Sequence, residues 1–211
     1  MRCFLFLISL YLFSCLSVTA QNAAESLLDK AASAYEQNGG TEVSFTYEWL
    51  QQSQTIDEGQ GQIKLQGDKW MLNMPGTLTW NDGNTQWVLS KANEEVYISE
   101  ANATDAEMYN PYAYFTLHRK GYKAAIGKDT SFQGKQITSI VLSGRTIDTF
   151  KTVTLYINKE YCPVFISYQT QEGDYQGEIV VKTYQTNAQF PAATFVFDAK
   201  QYPDAEIIDM R

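Results

Sequence analysis

The stretch EGQGQIKLQGDKWMLNMPGTLTWNDGNTQWVLSKANEEVYIS, from Glu58 to Ser99, decides how this chain folds. Within it Ile63 and Leu65, then Trp70, Leu72 and Met74, then Leu78 and Trp80, then Trp87 and Leu89, then Val96 and Ile98 around Tyr97, recur at every second position. Period-two alternation broken by Gly, Asn, Asp and Pro describes consecutive antiparallel strands with one apolar face. Asn81 to Asn84 reads as a hairpin turn in which Gly83 supplies the positive φ such loops require, and Met74-Pro75-Gly76 reads as a second turn. Three of the four Trp residues fall in this stretch. Its inner face therefore needs a cover, either another layer of protein or a ligand.

Working outward, Ala23 to Tyr35 has the helical period. Ala24, Leu27, Leu28, Ala31, Ala32 and Tyr35 share one face, Asp29, Lys30, Ser33 and Glu36 point away, and Gly39-Gly40 ends the segment. A strand follows in which Val43, Phe45, Tyr47 and Trp49 alternate with short polar residues. After Ser99 the pattern breaks. Asn110 suits a helix cap, Pro111 the first helical position and Gly121 the exit, enclosing an aromatic-rich helix with Tyr112, Tyr114, Phe115 and Leu117. Residues 101–109 read as a mobile loop. Segments near 131–133, 137–142, 150–157, 163–169, 175–184 and 193–197 alternate again. The expected fold is α+β and mainly β: a single antiparallel sheet of about 10–11 strands, curled into an incomplete barrel and covered by two or three short helices.

Residues 1–20 read as a secretory signal peptide, with Arg2 at the start, an apolar run from Phe4 to Phe13 and the small residues Val18, Thr19 and Ala20 before Gln21. The run is too short to span a bilayer. The competing reading makes Leu12-Phe13-Ser14-Cys15 a lipoprotein box with Cys15 acylated. Residues 21–211 suit one domain, large enough to bury about 70% of its unfolded surface. Because Arg2 is the only charged residue of the leader, the sixteen Lys and Arg fall to fifteen against 24 Asp and Glu, a net of −9. Nucleic acid and anionic membrane surfaces, which need clustered cations, are unexpected partners. Cys3 and Cys15 leave with the leader, so Cys162 has no internal partner and is expected to be a half-buried thiol.

Catalytic groups are scarce. The one histidine, His118, reads as a surface residue near a helix C-terminus, and without a second His or a Cys cluster no zinc site of the usual kind is expected. No phosphate loop, nucleophile elbow or dinucleotide fingerprint occurs. Glu94-Glu95 reads as a polar turn, and Glu42 and Glu48 lie on the polar face of their strand. A non-enzymatic binding protein is the expectation. Aromatic residues are the remaining signal, and 25 of the 29 stay after residue 20.

The tetrad Glu58-Gly59-Gln60-Gly61, the Trp70-to-Pro75 strand and turn, the Asp82-Gly83-Asn84-Thr85-Gln86-Trp87 hairpin and Glu95-Val96 together resemble the periplasmic outer-membrane lipoprotein carrier family, LolA-type. Asn110-Pro111 with its aromatic helix, and Phe195-Val196-Phe197 through Pro203 to Ile207-Ile208-Asp209, extend the resemblance over nearly the whole chain after residue 20. It implies a soluble periplasmic protein whose incomplete barrel, closed by helices, shelters lipoprotein acyl chains without a cofactor. It further implies receipt of lipoproteins from an inner-membrane release complex and delivery to an outer-membrane acceptor. Many members carry a basic residue and Pro shortly after the Gly-x-Gly, the Arg helping to hold the lid. Here that region reads Leu65-Gln66-Gly67-Asp68, with Lys64 or Lys69 as candidate substitutes.

The leading expectation is a carrier, working as a monomer, that binds acyl chains between sheet and helices. Candidate lining residues, chosen by strand parity, are Phe45, Tyr47, Trp49, Trp70, Leu72, Trp87, Leu89 and Phe115; candidate lid residues are Leu27, Leu28, Tyr35, Tyr112 and Leu117. Parity leaves open which face is inner. The alternatives are a glycolipid- or polysaccharide-binding module on the same fold, and a hydrolase using a carboxylate pair.

Overall fold

A computed structural model describes residues 23–101, 112–128, 130–132 and 134–211. The expected leader, the Asn110-Pro111 cap and nearly all of the 101–109 loop lie outside these residues. Helix α1, residues 23–37, is followed by β1 (Gly40–Gln51), β2 (Gln54–Gln66), β3 (Lys69–Asn73), β4 (Thr77–Asn81), β5 (Thr85–Ser90) and β6 (Glu95–Glu100). A 3-10 helix, Ala113–Lys120, leads into β7 (Lys123–Ile126), β8 (Thr130–Phe132), β9 (Lys135–Ser143), β10 (Phe150–Ile157), β11 (Pro163–Thr170) and β12 (Tyr175–Ala188). The chain closes with β13 (Glu206–Asp209).

Among the described residues the strands form one open sheet in the order β13-β6-β5-β4-β3-β2-β1-β12-β11-β10-β9-β7, with β8 pairing β9 beyond the end of β7. All neighbours are antiparallel except β13, which runs parallel to β6. The expected incomplete barrel is what the chain forms, with thirteen strands among the described residues against the ten or eleven expected. The excess includes the short edge strands β7 and β13. The segment 193–197, expected as a strand, is instead a 3-10 turn, Ala192–Phe195, following Pro191. Phe195 is buried there, edge-on to Phe190 with ring centroids 5.8 Å apart.

Curvature follows from the residues that meet. Val88 on β5 and Tyr168 on β11 are six strand steps apart, about 29 Å in a flat sheet at ~4.8 Å per step. Both line one cavity, so the sheet curls around it. The two glycines of the tetrad help the curled face pack. Phe45 pairs with Gly61 and Tyr47 with Gly59, and a side chain at either glycine would collide with the ring opposite.

The main core lies on the helix-covered face. Ala24, Leu28, Ala31 and Ala32 of α1 are buried with Tyr114, Phe115 and Leu117 of the 3-10 helix against Val43, Ile63, Leu65, Ile140, Leu142, Val153 and Leu155. Each fully buried Leu, Ile or Phe contributes about 1.5–3 kcal/mol. Gly121, at φ +103°, ends the 3-10 helix as expected. A second cluster, Leu78, Trp80, Leu89 and Val96, lies on the opposite face, covered by Phe197, Tyr202 and Ala205 of the C-terminal segment.

Candidate ligand cavity

A cavity of about 650 Å³ opens on the inner face where the helices stop. This is within the roughly 300–1,000 Å³ typical of small-molecule sites. Trp49, Trp70, Leu72, Met74, Val88 and Tyr168 form its apolar surface, and Ile56 and Tyr175, both well exposed, stand at its rim. Trp49 packs between Tyr47 and Tyr168 at centroid distances of 5.2 and 5.7 Å. It is directly paired with Gly177, where a side chain would run into both Trp49 and Tyr168. A second hollow of about 610 Å³ lies along the solvent side of α1 among Glu25, Ser26, Asp29, Lys30, Ser33 and Gln37, an ordinary polar helix face.

Of the eight residues expected to line a cavity, Tyr47, Trp49, Trp70 and Leu72 stand on its wall. Phe45 and Phe115 belong to the packed core beside it. Trp87 and Leu89 must be corrected. They pair with Trp80 and Leu78 across β4 and pack in the second cluster, on the far side of the sheet. The residues that β5 turns toward the cavity are Gln86 and Val88. Sequence reasoning missed these, together with Thr77, Thr79 and Met74.

The reason is a change of polarity along the sheet. On β3 the cavity face carries Trp70 and Leu72. Directly across on β4 stand Asn81 and Thr79, then Gln86 and Val88 on β5, then Ser99 and Tyr97 on β6. On the other face, Leu78-Leu89-Val96 and Trp80-Trp87-Ile98 form two apolar rows. From β4 onward the large apolar residues thus serve the outer cluster, and the cavity keeps one apolar and one polar wall. The β4–β5 turn is fixed by Asn81 Oδ1, which accepts from Gly83 N at 2.9 Å, and by Asp82 Oδ1, which accepts from Asn84 N and Thr85 N at 2.9 and 2.8 Å. At the rim the Tyr47 hydroxyl donates to Asp57 Oδ2 at 3.2 Å; burial, then the Asp57 charge, pushes that phenol up.

Of the expected lid residues, Leu28, Tyr112 and Leu117 are buried core and Leu27 and Tyr35 pack against it. Tyr35 of α1 stacks on Tyr112 with centroids 3.7 Å apart, and the Tyr112 hydroxyl donates to that of Tyr184. Asp29 Oδ1 accepts from Arg119 Nη2 at 2.6 Å and Nε at 3.1 Å, and lies 3.2 Å from His118 Nε2. The Arg119 hydrogen bonds hold the Asp29 carboxyl below its usual range, against a smaller desolvation effect. His118 is correspondingly not a surface residue: its side chain is 7% exposed and its Nδ1 is 2.9 Å from the Phe115 carbonyl. Lys64 does not reach the helices; its Nζ sits 5.7 Å over the Phe190 ring.

Glu58, Glu48 and Glu178 stand directly opposite one another across β2, β1 and β12, outside the cavity wall. Glu42 accepts from Gln62, Glu48 from Thr55 and Glu95 from Tyr97. Among the described residues no three His, Cys, Asp or Glu side chains gather as a metal site. Burial, then the Glu160 charge, pushes the half-buried Cys162 thiol up to about 11, the opposite of an activated nucleophile.

An open, largely antiparallel sheet curled around helices, with an apolar cavity at its open end, defines the class of LolA-like lipid-binding and carrier folds. The chain belongs to the family described as Outer membrane lipoprotein carrier protein LolA, whose profile matches residues 14–167. Solved structures share the fold at low identity. An uncharacterized conserved protein from Thermus thermophilus aligns with a TM-score of 0.59 and 12% identity over 89% of this chain and 99% of that one. A DUF1329 family protein from Desulfovibrio piger gives 0.51 and 8%, over 87% and 99%. The Mycobacterium tuberculosis lipoprotein LppX gives 0.50 and 12%, over 81% and 98%. A search of curated protein sequences gave no match.

Proposed function

We propose that this protein is a periplasmic carrier that shelters lipoprotein acyl chains in the cavity and transfers them from the inner to the outer membrane. The observation that carries the reading is the apolar surface of Trp49, Trp70, Leu72, Met74 and Tyr168, buried in a cavity with an open rim on a fold whose family is one of binding and carrier proteins. Exposing a chain of ~14 methylenes to water costs on the order of 11 kcal/mol at ~0.8 per CH₂. A carrier recovers part of this and gives it back on delivery. Donor and acceptor would be an inner-membrane release complex and an outer-membrane receptor, met by a monomer freed of residues 1–20. Among the described residues no helix is long and apolar enough to cross a membrane. Polysaccharide stacking is the weaker reading, because none of the four Trp is exposed.

The test is release from spheroplasts. Purified residues 21–211 should bring a newly made, triacylated lipoprotein into the soluble fraction as a complex, and leave untouched the same cargo with its acylated Cys replaced by Ser. Acylated cargo that stays on the membrane where a known carrier releases it would refute lipoprotein transport.

A further inference from the structure

Strand β2 outruns the strand beside it. β1 pairs with β2 along its whole length, whereas β3 covers only Gln62–Gln66. A tight turn, Gly67-Asp68 with Gly67 at φ +63°, joins β2 to β3, so the flanking pair Gln66 and Lys69 is hydrogen-bonded. From that pair the alternation of an antiparallel ladder sets the rest. Gln66, Lys64 and Gln62 turn their N–H and C=O groups to β3, and Gln60 and Glu58 turn theirs the same way, past the end of β3. The register to β1 is unbroken from Gln66 to Asp57, with its irregularity only beyond, at Ile56. Among the described residues no strand takes up the outward backbone groups of Glu58 and Gln60.

This free edge begins at the cavity mouth. Ile56 and Asp57 line the cavity, and Glu58, Gly59 and Gln60 line a groove of about 380 Å³ on the outer face. There Glu58, Glu48 and Glu178 form a row, and among the described residues no Lys or Arg is ion-paired with any of them. Like charges directly opposite one another are unfavourable, and a cation in the next place of the row, beside Glu58, relieves them. An added strand puts a side chain in that place. A second copy pairing through the same edge would bring another acidic row alongside, so the charges that keep the edge from self-pairing admit a basic strand.

We infer that the edge at Glu58 and Gln60 takes an extended, basic segment of the cargo's own polypeptide as an added strand, while the acyl group attached to that segment lies in the cavity. This rests on the reading of the cavity as an acyl-chain site and adds recognition of the polypeptide that bears the acyl group. The source follows from continuity: cavity and edge meet at Asp57, so a polypeptide held by its acyl chain emerges beside Glu58.

The experiment titrates the protein, residues 21–211, with N-dodecanoylglycinamide, a short dodecanoylated peptide alternating lysine and serine, its glutamate-for-lysine counterpart, and the unacylated lysine peptide. By calorimetry the dodecanoylated lysine peptide should bind about tenfold or more tightly than the glycinamide or the glutamate peptide, at about two- to tenfold per backbone hydrogen bond gained. It should also slow exchange of the Glu58 and Gln60 amides. Methylating the backbone amides of the peptide should remove the gain on the unaltered protein. Gln60→Pro should remove it too, because an outward N–H is lost without touching the ladder to β1, and an unchanged melting temperature checks the fold. Glu58→Lys should reverse the preference between the lysine and glutamate peptides. A gain that is absent, or that survives amide methylation, would overturn the inference and leave the acyl-chain site standing. Unacylated lysine peptide binding as tightly as the acylated one would overturn the assignment to cargo. Failure of every acylated probe to bind would overturn both readings.

Discussion

The ring of Phe45 lies across the backbone of Gly61, its directly paired neighbour on β2, with no room for a methyl group between them. A Cβ at Gly61 would collide with Phe45 Cζ and stand 2.8 Å from Met74 Sδ. Gly61→Ala is therefore an overpacking change, expected to cost about 1–3 kcal/mol. At ~2–4 °C per kcal/mol for a domain of this size, the melting temperature should fall by several degrees. Gly76→Ala is the control: nothing lies within 4 Å of its Cβ, and the change should be neutral or slightly stabilising. Equal losses for the two would contradict the packing described.

The four Trp residues divide between two faces. Trp49 and Trp70 line the cavity, whereas Trp80 and Trp87 pack in the outer cluster, Trp80 edge-on to Phe197 and Tyr202 at 5.5 and 5.6 Å. An acyl ligand should change the emission of wild type, Trp80→Phe and Trp87→Phe alike, and change it much less in the double variant Trp49→Phe/Trp70→Phe. Trp80→Ala, by emptying the outer cluster, should cost about 3–5 kcal/mol. Acyl binding in Trp80→Ala, measured well below its melting point, should remain.

That division marks how far the sequence could be read. Alternation in the 58–99 stretch made the strands, turns and curled sheet legible, because strand period and turn chemistry are local. Which face is inner is not local. Trp70 and Leu72 point into the cavity, while Trp80 and Trp87, equally bulky and equally alternating, point out, because Phe197 and Tyr202 return from over a hundred residues later to cover them. Parity counted within one strand carries no information about that return. The same holds for Ala192–Phe195, whose apolar residues fit a strand but form a 3-10 turn, and for His118, whose Nε2 lies 3.2 Å from Asp29 on α1, 89 residues earlier.

Asp29 joins α1 to the 3-10 helix through Arg119 and His118, where the family pattern would place its latch elsewhere. Asp29 and Arg119 are both half-exposed, so the pair should add well under ~1 kcal/mol to global stability. Its effect should be local. Asp29→Asn should speed hydrogen exchange across residues 23–37 several-fold with little change in melting temperature. Because the Asp29 carboxyl is held below its usual range, the contribution is present above the ordinary carboxylate pKa and lost as pH falls through the folded value. Wild type should approach the exchange behaviour of Asp29→Asn only in acid.

Tyr35 gives the alkaline counterpart. Burial against Tyr112 pushes its phenol up to about 12, above the ordinary value near 10. The unfolded chain releases this proton first, so the stabilisation is complete below pH ~10 and is lost as pH rises toward 12, a change on the order of 2–3 kcal/mol. Urea unfolding between pH 9 and 12 should show a steeper decline in wild type than in Tyr35→Phe. Parallel curves would place Tyr35 in water.

The most direct test of the account is to ask which face of the sheet touches the cargo. A photoreactive p-benzoylphenylalanine replaces Val88 or Thr170 on the cavity wall, or Leu89 on the outer face, and each protein is irradiated after loading from spheroplasts with an acylated lipoprotein. Crosslinking at Val88 and Thr170, absent at Leu89 and absent with the unacylated cargo, is the predicted result. Crosslinking at Leu89 in preference to Val88 and Thr170, or equally with unacylated cargo, would contradict acyl-chain binding in this cavity.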